Sequence, residues 1–267
     1  MIKAKHGFLF FATAIFIIKF FAGCGLEEYA YIDSIPQSNI DQSVFNKATV
    51  RIPSSFAGSG MSGFHFIVFY RIYISEVLKE PQGYTTNPDY EYGSINSVLV
   101  SDYKYFKTKI ENNSNEDMFK LFHNRGYKNL CLEDDEDIDA ILNNSVLGQN
   151  IAFEFPDVLS SSQYPKMTIN GVSHNLFRST DGGEYRALPN RYFLCRPNFW
   201  SSKLITGDGR IDSTTNADIV DKENIEEKRD FAYTAMYIVA AATDDTTFTS
   251  VYGTPAIVRI FKLTQNN

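Results

Sequence analysis

Apolar residues cluster most densely over Phe64 to Ser75, which reads FHFIVFYRIYIS. On a strand, Phe64, Phe66, Val68, Tyr70, Ile72 and Ile74 share one face, while His65, Ile67, Phe69, Arg71 and Tyr73 share the other. Both faces are largely apolar, so the pattern predicts a central strand covered on both sides. A shorter strand pattern, Ala48-Thr49-Val50-Arg51-Ile52, precedes it and ends at Pro53. Two long strand patterns close the chain, Tyr233 to Ala242 and Ala256 to Leu263. Further strands are expected at Asn150 to Phe155, Met167 to Ile169, Leu176 to Ser179 and Tyr192 to Cys195. Ile95 to Ile110 is rich in β-branched and aromatic residues and is also expected to form strands.

Helical periodicity is confined to about 114–143. Ser114 to Asp117 resembles a capping box ahead of Met118, Phe119, Leu121 and Phe122, and Gly126 provides a stop. Glu133 to Asp139 supplies an acidic first turn to a second short helix carrying Ile138, Ile141 and Leu142. Residues 76–94 contain Pro81, Gly83, Pro88 and Gly93 and predict a loop. Between Asp218 and Asp230, nine of thirteen residues are charged, which predicts a solvated loop or exposed helix.

The amino-terminal segment has a different character. Lys3 and Lys5 are followed by an apolar or weakly polar run from Gly7 to Ile18. Twelve residues are too few to span a bilayer, which needs roughly 20, but they suit the core of an export signal. Just beyond lies Phe21-Ala22-Gly23-Cys24, which resembles the lipobox of bacterial lipoproteins, with Phe21 in place of the usual Leu as in the relaxed spirochaete form. The resemblance implies that diacylglycerol is joined to the Cys24 sulfur, that residues 1–23 are removed and that the new amino group is acylated. Several acyl chains anchor a protein stably where one binds only marginally. The expected location is the cell envelope, at its periplasmic face or the cell surface. Residues 24–44 are polar and include Pro36, and read as a tether.

Three segments carry a second resemblance: Tyr70 to Glu76 (YRIYISE), Tyr233 to Asp244 (YTAMYIVAAATD) and Tyr252 to Leu263 (YGTPAIVRIFKL). They resemble three strands of a fibronectin type III sandwich, a fold of the immunoglobulin-like kind. The expected fold class is therefore mainly β: an elaborated sandwich over 45–267, with a few short helices in a large insertion around 81–230. Two packed sandwiches are the alternative.

Charge narrows the partners. Of the 25 basic residues, Lys3, Lys5 and Lys19 lie in the signal, leaving 22 against 32 acids. A mature chain near -10 argues against nucleic acid, which needs a basic footprint. Motifs of chemistry fail their contexts. Gly58 to Gly63 spells GxGxxG but precedes a strand pattern, where a dinucleotide site needs a helix N-terminus. Asp135, Asp137 and Asp139 alternate like a calcium loop, but Ala140 stands where the turn glycine belongs. Gly207 to Asp212 resembles a dockerin-type loop that lacks most of its ligands. Ser101-Asp102-Tyr103-Lys104 has the bare SxxK spacing without its companion motifs. His65, His123 and His174 are far apart in sequence. No catalytic residue, metal site or cofactor is therefore assigned. Cys131 and Cys195 both sit among apolar neighbours, where a free thiol packs as a small hydrophobe; a single bridge between them is the alternative.

The binding candidates are Tyr84, Tyr90 and Tyr92 in the loop PQGYTTNPDYEYGS, together with Trp200. Tyrosine brings rigid contact area with a polar tip, as binding loops on sandwich scaffolds use it. The alternative for both candidates is that these rings cover the sandwich itself. The expected function is that of a membrane-anchored envelope lipoprotein with a non-catalytic binding or structural role, recognising a protein or extracellular component. A hydrolase acting on cell-wall or carbohydrate material and a small-ligand carrier are the alternatives.

Overall fold

The long apolar alternations become the strands that organise the molecule. The computed structural model describes residues 32–55, 60–73, 77–78, 93–112, 118–132, 138–158, 163–179, 197–198, 200, 219–220 and 231–264. In chain order these form β1 (Ile40–Asp41), β2 (Lys47–Arg51), β3 (Met61–Tyr73), β4 (Val77–Leu78), β5 (Gly93–Ser94), α1 (Ile95–Glu111) and α2 (Met118–Asn124). Next come β6 (Lys128–Asn129), β7 (Cys131–Leu132), α3 (Ile138–Ile141), β8 (Asn150–Glu154), β9 (Lys166–Ile169) and β10 (Val172–Ser179). The rest are β11 (Pro197–Asn198), β12 (Ile219–Val220), β13 (Phe231–Asp244), β14 (Ser250–Tyr252) and β15 (Ala256–Thr264).

Two main sheets result, so the mainly β sandwich expected from the sequence is the fold. The first has the order β1-β2-β8-β9-β10-β11, with β7 also on β10. The second has the order β12-β3-β13-β14, with β15 also on β13 and β6 on β3. All pairings are antiparallel except the short β12–β3 contact. The three strands that carry the fibronectin-like resemblance lie side by side as β3-β13-β15. The small residues of β13 sit opposite bulky ones, Ala240 against Phe66 and Ala241 against His65.

Strand alternation then builds three layers. Phe66, Val68, Tyr70 and Ile72 of β3 join Val50, Ile151 and Phe153 of the facing sheet in the inter-sheet core. Ile67, Phe69 and Tyr73 point the other way, into a second core with Val98, Phe106 and Phe122 of α1 and α2. β3 is buried on both faces over Phe66–Tyr73, as its pattern predicts.

Three expectations need correction. Ile95 to Ile110 is not strand but a 17-residue helix. Val98, Asp102 and Phe106 recur every fourth position on its buried side, and packing of that stripe outweighs the β propensity of its valines and tyrosines. The supposed tether is folded from Ile32 onward, because Ile32 and Ile35 are buried in the inter-sheet core. Its polar residues bond the backbone of β15: Gln37 Nε2 donates to the Ile257 carbonyl and Gln42 Nε2 to that of Val258. Finally, Cys131 is disulfide-bonded rather than a free packed thiol. Residues 150–179, which the sequence places in an insertion, supply β8, β9 and β10 and hence most of the facing sheet.

The ends of the sandwich are distinct. At the upper end β3 begins, with Met61 opposite Asp244, and the β13–β14 turn projects. In the facing sheet Ile169 pairs with Ile151 and Ile151 with Val50, so the β9–β10 turn, Asn170-Gly171, lies at the end where β2 runs out at Arg51. At the lower end Tyr73 pairs with Tyr233 and Tyr233 with Lys262. Asn46 is clamped there, donating through Nδ2 to the Lys262 carbonyl and accepting the Lys262 N–H.

Candidate functional site

Among the described residues, the densest coupled set of ionisable groups lies between α1 and β3. Asp102 faces the sheet from the buried side of α1, and Arg71 rises from the helix-facing side of β3 with its guanidinium 3.6 Å away. Arg125 and Tyr127 follow α2; Arg125 Nη1 and the Tyr127 hydroxyl each donate to the carboxylate at 2.8 Å. Aromatic faces complete the enclosure. The Arg71 guanidinium lies 4.8 Å from the Tyr73 ring centroid, and that of Arg125 lies 4.1 Å from Tyr105. The Tyr237 hydroxyl donates to the Leu99 carbonyl at 2.6 Å, pinning α1 to β13.

Burial sets the electrostatics of this cluster. It pushes the Asp102 carboxyl above the ordinary value of 3.8, while Arg71, Tyr127 and Arg125 pull it back. Burial also raises the Tyr127 phenol well above its ordinary value, with neighbouring Tyr73 adding to the shift. Asp102 is 1% exposed and Arg71 2%. A carboxylate so enclosed has no open face toward a substrate, and its partners are the donors that fasten helix to sheet. The chemistry of the cluster is that of a polar clamp inside an aromatic layer. Phe69, Phe122 and Phe106 stack in sequence beside it, with centroids 4.0 and 3.9 Å apart.

The candidates from the sequence fall elsewhere. Trp200 is 1% exposed and packs in the inter-sheet core, 5.2 Å from Tyr70 and 5.1 Å from Phe155 between ring centroids. It is therefore a core residue and not a surface contact. Tyr84, Tyr90, Tyr92 and Cys24 lie outside the described residues, as do Asp135, Asp137 and Gly207 to Asp212. The flanks of the tyrosine segment are described: Val77 pairs with Ser94 and Leu78 with Gly93 in a two-stranded ribbon.

The remaining motifs resolve simply. The second half of the GxGxxG run opens β3 rather than a helix. Ser101 and Lys104 sit on α1, with Lys104 exposed. His65, His123 and His174 belong to β3, α2 and β10, and no group of metal-binding side chains occurs among the described residues. His65 bonds locally, its Nδ1 2.9 Å from the Gly63 carbonyl.

Exposed apolar side chains mark the turns. Val44 (57%) and Phe45 (63%) occupy the β1–β2 turn at the lower end. Phe248 (83%) tips the β13–β14 turn at the upper end, and Val172 (58%) follows the β9–β10 turn. Sequence reasoning passed over these residues. The signal for Phe248 was a lone aromatic in the polar run Asp244 to Ser250 between two strand patterns.

Comparison with family models, with curated proteins and with solved structures finds no match to this chain.

Proposed function

We propose that this chain is an envelope lipoprotein, anchored through lipid on Cys24, that recognises a protein or extracellular component without catalysing a reaction. The observation that carries this reading is a register. Asn46 is tied to Lys262, Lys262 pairs with Tyr233, and Tyr233 pairs with Tyr73. The turn exposing Val44 and Phe45 thus lies at the end of the sheet from which the chain runs on to Tyr84, Tyr90 and Tyr92. Val44 and Phe45, large and exposed at one end of the sandwich, are side chains of the kind that recognition surfaces use. The clamped Asp102 supports the same reading, because its charge is engaged by the scaffold.

The test is retention of a component from envelope or extracellular-matrix extracts on the immobilised chain. Replacing Tyr84, Tyr90 and Tyr92 by Ser should abolish retention of whatever the wild type captures, and Phe45→Ser should weaken it, without a large fall in melting temperature. Unchanged capture would reject this end as the site. Turnover of a carbohydrate or cell-wall substrate that vanishes with one acidic side chain would reject the non-catalytic reading.

A further inference from the structure

We propose that the outer edge of β15 is a self-pairing surface kept covered by residues 34–46, and that its partner, once it is uncovered, is β15 of a second copy of this chain. β15 pairs with β13 along one edge, and no strand among the described residues pairs with its other edge. Its sequence, Ala256 to Thr264, is rich in β-branched and large apolar residues, a composition that extends a sheet readily. A row of backbone groups on such an edge is a template for another strand unless something covers it.

What covers it here is a set of side-chain amides. Asn46 Nδ2 donates to the Lys262 carbonyl at 2.8 Å, and Asn46 Oδ1 accepts the Lys262 N–H at 2.9 Å. The Gln37 amide treats Ile257 in the same way, at 2.8 and 3.3 Å. Gln42 Nε2 donates to the Val258 carbonyl at 2.6 Å, and Ser34 Oγ accepts the Thr254 N–H at 3.0 Å just ahead of the strand. A primary amide carries the donor and the acceptor of a peptide group. Gln37 and Asn46 therefore stand where the backbone of a neighbouring strand would stand. The covering segment is not itself a strand in register, since nine steps from Gln37 to Asn46 cover the five from Ile257 to Lys262. Its carbonyls are drawn to a side chain instead: Arg259 Nη1 donates to those of Gln42, Val44 and Lys47 at 2.6, 2.7 and 2.8 Å. An incoming strand would replace these amides group for group.

The edge itself selects the partner. Lys262 turns its N–H and C=O outward to Asn46, and Ile260, two residues earlier on the same strand, turns outward with it. Two copies of β15 paired antiparallel about Ile260 place Arg259 opposite Phe261, Lys262 opposite Val258 and Ala256 opposite Thr264. No like charges then face one another directly, and each cation lies across from an apolar residue.

The experiment is sedimentation equilibrium of the full chain in a density-matched detergent, with hydrogen exchange of the β15 amides on the same samples. Gln37→Ala, Gln42→Ala and Asn46→Gly are combined, because glycine keeps the left-handed backbone that Asn46 holds at φ +49. The wild type should sediment as one chain at every concentration. The combined variant should rise toward twice that mass as concentration increases. Adding Ile260→Pro, which removes the outward N–H, should return it to one chain. Dimers that survive Ile260→Pro would mean pairing through another surface and would overturn the proposal. So would a wild type that already sediments as two chains, or a combined variant that stays one chain while its β15 amides exchange faster. Unchanged exchange in the combined variant would show that these side chains do not cover the edge, and would overturn it equally. Circular dichroism verifies folding; Asn46→Gly alone replaces the combined variant, and Ile260→Lys replaces Ile260→Pro, where either fails to fold.

Discussion

Arg71 and Asp102 face each other at 3.6 Å across the helix–sheet layer, both almost wholly removed from solvent. The pair unites two elements that neither charge would enter alone, since an unpaired buried charge is costly. Removing the carboxylate takes away the anion that faces Arg71 and the acceptor that Arg125 and Tyr127 bond. Asp102→Ala should therefore destabilise the fold by about 3–5 kcal/mol, the usual cost of breaking a buried pair. Urea denaturation measures this, and a loss below about 1 kcal/mol, the scale of an exposed pair, would contradict it.

The same site sets a pH dependence. Because burial raises the folded-state value of Asp102 above 3.8, the native state binds more protons than the unfolded state in the window just above that value. The contribution is fully present below the unfolded value and is lost as pH rises through the folded one. Relative to Asp102→Asn, which does not titrate, the wild type should gain stability as pH falls through this window. A relative loss on acidification would mean that the arginines outweigh burial.

The aromatic stack makes its own prediction. Phe122 lies nearly parallel to Phe69 (10°) and to Phe106 (14°), linking β3, α2 and α1. Phe122→Ala should cost about 3–5 kcal/mol and should expose α1 and α2 to hydrogen exchange before β13. Simultaneous exchange of all three would show that the helices do not open as a separate layer.

A steric test probes the amino-terminal entry. A Cβ on Gly253 would meet the Asp33 backbone carbonyl at 2.9 Å, which must shift to admit it. Gly253→Ala should lower stability by about 1–3 kcal/mol as an overpacking change and speed proteolysis ahead of Gln37. Unaltered cleavage would mean that this segment is not held by the Gly253 contact.

Legibility in the sequence followed where the period was unbroken. β3, β13 and β15 announce themselves because their apolar faces run without interruption, and the double burial of β3 is readable from FHFIVFYRIY. Helix α1 was hidden because its stripe of Val98, Asp102 and Phe106 has an acid at its centre, and valine, tyrosine and isoleucine favour strands locally. The clamp was invisible for a related reason. Asp102, Arg71 and Arg125 lie on different elements, and no spacing rule joins them. The one hint was Arg71, a charge between Phe69 and Tyr73 on an otherwise apolar face. Trp200 has the same appearance in a sequence whether it caps a loop or fills a core, and only the facing Tyr70 and Phe155 decide.

Cysteine pairing supplies a check that connects fold and anchor. Cys131 is disulfide-bonded, and the chain has three cysteines. If the Cys24 sulfur is committed to lipid, Cys195 is the remaining partner. Peptide mapping without reduction should recover a Cys131–Cys195 linkage; a Cys24–Cys131 linkage would exclude a thioether on Cys24.

The most direct test of the account is the mass of the amino-terminal peptide of the mature chain isolated from cell membranes. The account predicts a peptide that begins at Cys24 and carries acyl chains on its sulfur and amino group, and a chain released from the membrane fraction by Cys24→Ala. A peptide that begins at another residue, or at an unmodified Cys24, would contradict the lipid anchor.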